Sequence, residues 1–250
     1  MNYSISLWNY YHYSKVSSLE RIITLLREQG YGVELWGKWQ EETDLFDEIG
    51  RVRLNHLLRG MRVSVHSAVV NTFDEHKKQI DTAAEWGAEV IVLHPEDLVP
   101  EGKTKFDAQF CQDIVTYATD HGVRLALENG KLPFLVNAIE KVAALGICLD
   151  VGHIYFTPDP MIKYLDSLKE RIIHLHLQDI LSPIENELPH TGKDHFTPGT
   201  GGIPTEDWEL LAATLNEINF QGIAVFEIQP RNPLQTALLA KEFLEKFWNG

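Results

Sequence analysis

The sequence predicts a single-domain α/β protein, a (β/α)₈ TIM-type barrel over residues 1–250, on three observations. Eight short aliphatic or β-branched runs alternate with eight longer amphipathic stretches, the pattern of repeated βα units around a parallel sheet. The unit recurs at roughly 30-residue spacing, the size of one strand with its crossover helix. The length of 250 residues matches one barrel with no second domain left over.

The elements follow in order. Alternating Tyr-Ser-Ile-Ser-Leu at 3–7 opens the chain as a strand, and a helix over 18–28 ends before Gly30. Gly-Val-Glu-Leu-Trp at 32–36 is the second strand, followed by a helix over 42–58 and Gly60. Arg-Val-Ser-Val-His at 62–66 precedes a helix over 74–86, closed by Gly87. A nearly continuous apolar run at 89–94 precedes a helix over 107–120, closed by Gly122. These glycines stand where a helix end favours a left-handed residue. The later strands fall at 123–128, 147–150, 172–177 and 223–228, with helices over 133–145, 160–169, 205–216 and 234–248. Glu206 and Asp207 place negative charge in the first turn of the seventh helix, where the dipole favours it. One long irregular segment, 181–204, is rich in Pro, Gly, His and Asp and is a candidate active-site flap.

Composition excludes several functions. Hydrophobic residues make up 44% and charged residues 23%, and no apolar run is long enough to span a bilayer. The N-terminus lacks the basic and apolar regions of a signal peptide, so a cytoplasmic location is expected. Cys111 and Cys148 have no partner pattern and read as reduced core thiols. A net charge of −14 opposes approach to a phosphate backbone and argues against a nucleic-acid partner.

Strand alternation sends one parity into the barrel and the other toward the helices. It points Arg62, Ser64 and His66 inward on the third strand, His174 and His176 on the seventh, and Glu128, Asp150 and Glu227 at the ends of the fifth, sixth and eighth. With Glu34 and His94, these residues gather at the C-terminal strand ends, where barrels of this kind place their active sites. Carboxylates crowded into a barrel repel one another and lose hydration, so they require protons, basic partners or a cation. A divalent metal is the simplest solution. Trp8, Trp36 and Phe156 lie near strand ends, where core or rim packing is the first expectation and a sugar-lining role the second. Gly199-Thr200-Gly201-Gly202 reads as a flexible turn, with backbone donors for a phosphate as the other reading.

At these residues the chain resembles the xylose isomerase-like TIM-barrel superfamily, which holds sugar isomerases and epimerases and the endonuclease IV type of abasic-site nuclease (AP endonuclease family 2). The resemblance rests on His66-Ser67, His94-Pro95, Leu127-Glu128-Asn129, Asp150-Val151-Gly152-His153, His176-Leu177-Gln178-Asp179, His195-Phe196-Thr197-Pro198-Gly199-Thr200-Gly201 and Phe226-Glu227-Ile228, in that order.

For the sugar branch it implies one divalent ion, Mn²⁺ or Mg²⁺ first and Zn²⁺ or Co²⁺ also suited, held by Glu128, Asp150, His176 and Glu227. Glu128 and Glu227 would move a proton next to the carbonyl of a sugar or sugar phosphate, while His66, His94, His153 and His195 would contact substrate. His153 reads equally well as a partner of Asp150. A polyol dehydratase could use the same groups, and a homo-oligomer is expected by analogy.

The nuclease branch would add zinc ions through His66, His94, His153 and His195. It carries an acid two residues before the histidine matching His195, where this chain has Lys193, with Asp194 immediately before the histidine. That departure, with Asp-Val-Gly-His at Asp150 and the charge of −14, turns the reading toward a small molecule.

Overall fold

Strands with one apolar face toward helices and one polar face toward each other have a natural solution, which is to close the sheet on itself. The computed structural model describes residues 1–8, 18–39, 43–128, 130–181, 193–229 and 232–248. Asn129 and residues 182–192 of the 181–204 segment therefore lie outside the described residues. The barrel strands are β1 (Tyr3–Ser6), β2 (Gly32–Trp36), β3 (Val63–His66), β4 (Val90–Leu93), β5 (Arg124–Glu128), β6 (Gly146–Asp150), β7 (Ile172–Leu177) and β8 (Ile223–Phe226). The intervening helices are α1 (Leu19–Glu28), α2 (Glu48–Leu58), α3 (Phe73–Glu85), α4 (Ala108–Asp120), α5 (Leu132–Lys141), α6 (Met161–Leu168), α7 (Thr205–Glu217) and α8 (Pro233–Trp248). The strands pair in sequence order, all parallel, and β8 closes on β1.

The main apolar core lies between barrel and helices, where Ile5, Val33, Leu35, Val65 and Leu127 point outward from their strands. Inside the barrel a small separate cluster, Val90, Val92, Ala126 and Cys148, fills one part of the lumen. The remainder of the lumen is polar, with Ser64, Glu34, His174 and His176 all buried. Among the described residues no helix is long and apolar enough to cross a membrane.

One expectation is corrected. The helix expected over 42–58 begins at Glu48, and Lys38–Trp39 pairs with Thr43–Asp44 in a short antiparallel ladder before it. Tertiary contacts decide this. The Leu45 N–H donates to the Gly37 carbonyl at 2.9 Å, and Phe46 stacks on Trp86 with ring centroids 5.7 Å apart. Arg62 precedes β3 and, as parity expects, turns inward across the lower mouth of the barrel, where its Nε donates to Glu89 at 2.7 Å and Nη1 to the Gly222 carbonyl at 3.4 Å. A guanidinium in the lumen would lose its hydration, whereas the rim supplies a carboxylate partner.

Candidate metal centre

Four consecutive strands build the centre. Glu128 ends β5, Asp150 ends β6, His176 lies on β7 and Glu227 follows β8. One ligand atom from each lies within 4.8 Å of every other, and all four residues are buried. His176 is the pivot: its Nδ1 lies 3.0 Å from Glu128 Oε1, 3.1 Å from Glu227 Oε2 and 4.0 Å from Asp150 Oδ2. Three carboxylate oxygens and one imidazole nitrogen at these separations suit ligand bonds of about 2.0–2.2 Å to a common divalent ion. The donor chemistry therefore fits a metal.

The remaining sequence candidates flank this set. On the Glu128 side, Oε2 lies 2.9 Å from His94 Nε2 and 3.3 Å from His66 Nε2, and His66 Nδ1 lies 3.1 Å from the Ser67 carbonyl. On the other side, His153 Nδ1 is 2.9 Å from Asp150 Oδ2, and His195 Nε2 is 3.8 Å from Glu227 Oε2. Among the described residues three further groups could also hold an ion: His66, His94 and Glu128; His153, Asp194 and His195; and Cys148, His174 and His176.

The second of these alters the meaning of Lys193. Asp194, adjacent in sequence, takes the position between the histidines, with Oδ2 3.5 Å from His153 Nε2 and Oδ1 3.0 Å from His195 Nδ1. Lysine at 193 therefore does not deprive the cluster of a carboxylate. Lys193 is itself buried, and its carbonyl accepts from the Leu181 N–H.

Burial and charge oppose each other here. Burial acts to raise the Glu128 pKa, but His176 and the hydrogen bonds from His176, His66 and His94 outweigh it and hold the carboxyl well below its usual range. Glu227 is lowered in the same way by His176 and His195 against burial. Burial acts to lower the histidines, yet Glu128, with help from Glu34 and Glu227, raises His66 to about 9. Against burial, His153 is likewise raised well above the ordinary imidazole value by Asp150, Asp194 and Glu128, and His176 by Cys148, Glu34, Glu227 and Glu128.

These shifts predict a stability profile for the metal-free protein. A raised histidine contributes stability that is present below its unfolded pKa and lost as pH rises through its folded value, about 9 for His66. A lowered carboxylate contributes above its unfolded pKa and loses that contribution as pH falls through its folded value. With chelator present, Tm is expected to peak between about pH 5 and 6.5 and to fall from there toward pH 9. Zn²⁺ replaces protons on the centre and should hold Tm up on the alkaline side. A chelated protein whose Tm climbs from pH 7 to 9 would contradict this balance.

Three residues with no assigned role in the sequence reading organise the site. Gln178 Nε2 donates to Asp150 Oδ2 at 2.7 Å, while its Oε1 accepts the His195 backbone N–H at 2.6 Å. The hydrogen bond to Gln178, itself fixed by Asp150, helps hold His195 at φ +62, a left-handed conformation unusual for a residue with a Cβ. A Cβ on Gly152 would lie 2.8 Å from the Gln178 side chain, which accounts for glycine there.

Asp179 is fully buried, and its carboxylate accepts the backbone N–H groups of Ile180, Gly199, Gly201 and Ile203 at 2.8 to 3.0 Å. The Thr200 and Gly202 N–H groups go to the Thr197 and Ile180 carbonyls. The glycine-rich turn consequently has its donors committed, which removes the phosphate-cradle reading. A Cβ on Gly201 would stand 2.4 Å from Asp179 Oδ1. The described part of the candidate flap is thus anchored to the barrel.

Asp97 performs a similar task on the other side, accepting from Ser67 Oγ, the Val70 N–H and the His94 N–H at 2.7 to 2.8 Å. Its position three residues after His94 was a readable capping signal, whereas Asp179's long-range partners left no local pattern.

Trp8 lies over His195, with ring centroids 4.2 Å apart, and Trp36 meets His66 edge-on at 6.0 Å. Both therefore wall the centre instead of serving only the core. A cavity of about 340 Å³ adjoins the metal set through His153 and Asp194 and is also lined by Lys131, Phe156 and Tyr164.

Against this geometry the comparisons with known proteins can be read. The sequence model described as xylose isomerase-like TIM barrel matches residues 58–247, most of the chain. The chain belongs to the xylose isomerase-like TIM-barrel family. Within the range of this family, an inosose dehydratase of Mesomycoplasma hyopneumoniae (strain J) is 25% identical over 91% of this chain and 88% of its own. Two solved structures share the fold. One is the IOLI protein with a bound zinc atom, at TM-score 0.77 and 18% identity over the whole of both chains. The other is a D-tagatose 3-epimerase-like protein, at TM-score 0.72 and 22% identity over 100% of this chain and 98% of that one.

Proposed function

We propose that this protein is a metal-dependent enzyme of sugars or related polyols that moves a proton on a carbon next to a carbonyl, as a ketose or aldose isomerase or epimerase. The observation that carries this reading is the pair Glu128 and Glu227, which converge on His176 Nδ1 at 3.0 and 3.1 Å from the two ends of a four-strand arc. When bound, a divalent ion at Glu128, Asp150, His176 and Glu227 supplies Lewis-acid polarisation of the carbonyl and its neighbouring hydroxyl.

The protein's own residues do the rest. Glu128 and Glu227 are both kept unprotonated at neutral pH, so either can remove the proton. In an isomerisation the same carboxyl, now protonated, returns it to the neighbouring carbon; in an epimerisation the opposite carboxyl first takes a proton from solvent and delivers it to the far face while the first releases its own. His153 and His195 stand beside Asp150 and Glu227, at 2.9 and 3.8 Å, and are the groups that would bond substrate hydroxyls. Trp8 and Trp36 supply aromatic faces for sugar C–H groups and narrow the access of water.

A second reading is loss of water from a cyclic polyol. The 25% identity to an inosose dehydratase over nearly the full chain favours it. The same first proton abstraction would serve, with His153 or His195 protonating the departing hydroxyl. Cleavage of abasic nucleic acid has less support, because the charge of −14 opposes a phosphate backbone.

One experiment separates the three. Pure protein with Mn²⁺ or Zn²⁺ is incubated in D₂O with a panel of ketoses, aldoses and inososes, and in parallel with an abasic duplex. Deuterium entering next to the carbonyl without loss of mass supports isomerisation or epimerisation. A product lighter by one water supports dehydration. Chelator-sensitive strand incision with no sugar turnover overturns both.

A further inference from the structure

Beneath the metal set lies a carboxylate that the proton-transfer scheme does not use. Glu34 occupies the middle of β2, faces the lumen, and is fully buried. In register it stands beside Ser6 of β1 and Ser64 of β3, both small, which leaves room for its side chain to cross the lumen toward β7. There Oε2 accepts from Ser64 Oγ at 3.0 Å and lies 2.9 Å from His174 Nε2. His176 Nε2 is 3.1 Å from Oε1 and 3.3 Å from Oε2.

We propose that Glu34 is a positioning residue: its carboxylate accepts a hydrogen bond from the Nε2–H of His176, so that Nδ1 is the nitrogen that gives up its proton and turns a lone pair to a metal held with Glu128, Asp150 and Glu227. The reasoning is one of donor and acceptor inventory. An ionised carboxylate only accepts, so the nitrogen against it carries hydrogen, and in a neutral imidazole the other nitrogen must then be the acceptor. Donation to a carboxylate also makes that ring a better ligand and stops it rotating. His174 and Ser64 complete the arrangement by holding Glu34 itself, which explains why a charge so far from solvent carries three partners.

The inference rests on the metal reading of the site, and its test keeps the two apart. Zn²⁺ affinity of the full chain is measured by chelator competition for wild type and Glu34→Gln, with circular dichroism and Tm confirming the fold. A glutamine offers one oxygen and one NH₂ to two histidine nitrogens and no longer dictates the tautomer. Zn²⁺ is expected to bind about 10- to 100-fold more weakly to the variant.

The second arm needs no variant. Long-range ¹H–¹⁵N spectra of Zn²⁺-loaded wild type, labelled at histidine, should show His176 with zinc at Nδ1 and hydrogen at Nε2. A folded Glu34→Gln protein that binds Zn²⁺ within about twofold of wild type overturns the proposal. So does zinc at His176 Nε2, and this arm decides the matter if the variant fails to fold. A wild type that binds no Zn²⁺, Mn²⁺ or Mg²⁺ instead sinks the metal reading itself.

Discussion

Glu227→Gln is expected to lower turnover by about 10²- to 10⁴-fold on any substrate that the protein converts by proton transfer. The substitution keeps the size of the side chain and removes only its ability to hold and release a proton. Glu227 is buried against His176 at 3.1 Å, so glutamine should fit the same space. It also removes one negative charge from the proposed ligand set. Metal content must therefore be measured alongside rate, and activity should be compared at saturating Mn²⁺. A fully loaded variant with undiminished turnover would strike Glu227 from the proton-transfer pair. Glu128→Gln at the opposite end of the arc is the matching case, with the added loss of the acceptor for His66 and His94.

Asp179→Asn should be among the most destabilising single substitutions in the chain, at about 3–5 kcal/mol in denaturant unfolding. Its carboxylate accepts four backbone N–H groups, two on each oxygen. An asparagine keeps one oxygen and turns an NH₂ toward the other two donors, leaving them buried without acceptors. The segment that follows carries Asp194 and His195, so activity should fall with stability, and proteolytic cleavage near residues 193–203 should appear before global unfolding. A loss below about 1 kcal/mol would show that the segment satisfies its donors by another route.

Much of the fold was legible because its signals are local. Period-two alternation in Ile172-Ile173-His174-Leu175-His176-Leu177 is set by the pleat of a single strand, and it put both histidines inside, as observed. The stop glycines worked for the same reason; Gly87 and Gly122 adopt φ of +70 and +76 at their helix ends. The start of α2 was misread because Leu45 and Phe46 continue an amphipathic pattern but answer to Gly37, on the other side of the short ladder, and to Trp86, at the far end of the next βα unit.

From sequence alone came the closed set of eight βα units and the inward gathering of Glu128, Asp150, His176 and Glu227, since each depends on the alternation of one strand at a time. Which groups actually meet depended on register between strands and on the path of the loops. Only the folded chain brings His176 Nδ1 against three carboxylates and sets Glu34 beneath Nε2. It also puts Asp194, not Lys193, between two histidines and commits the glycine-rich turn to Asp179. Those contacts join residues up to 142 positions apart, and hydrogen bonds at 3 Å tolerate no error in register, so no pattern within a strand or turn could encode them visibly.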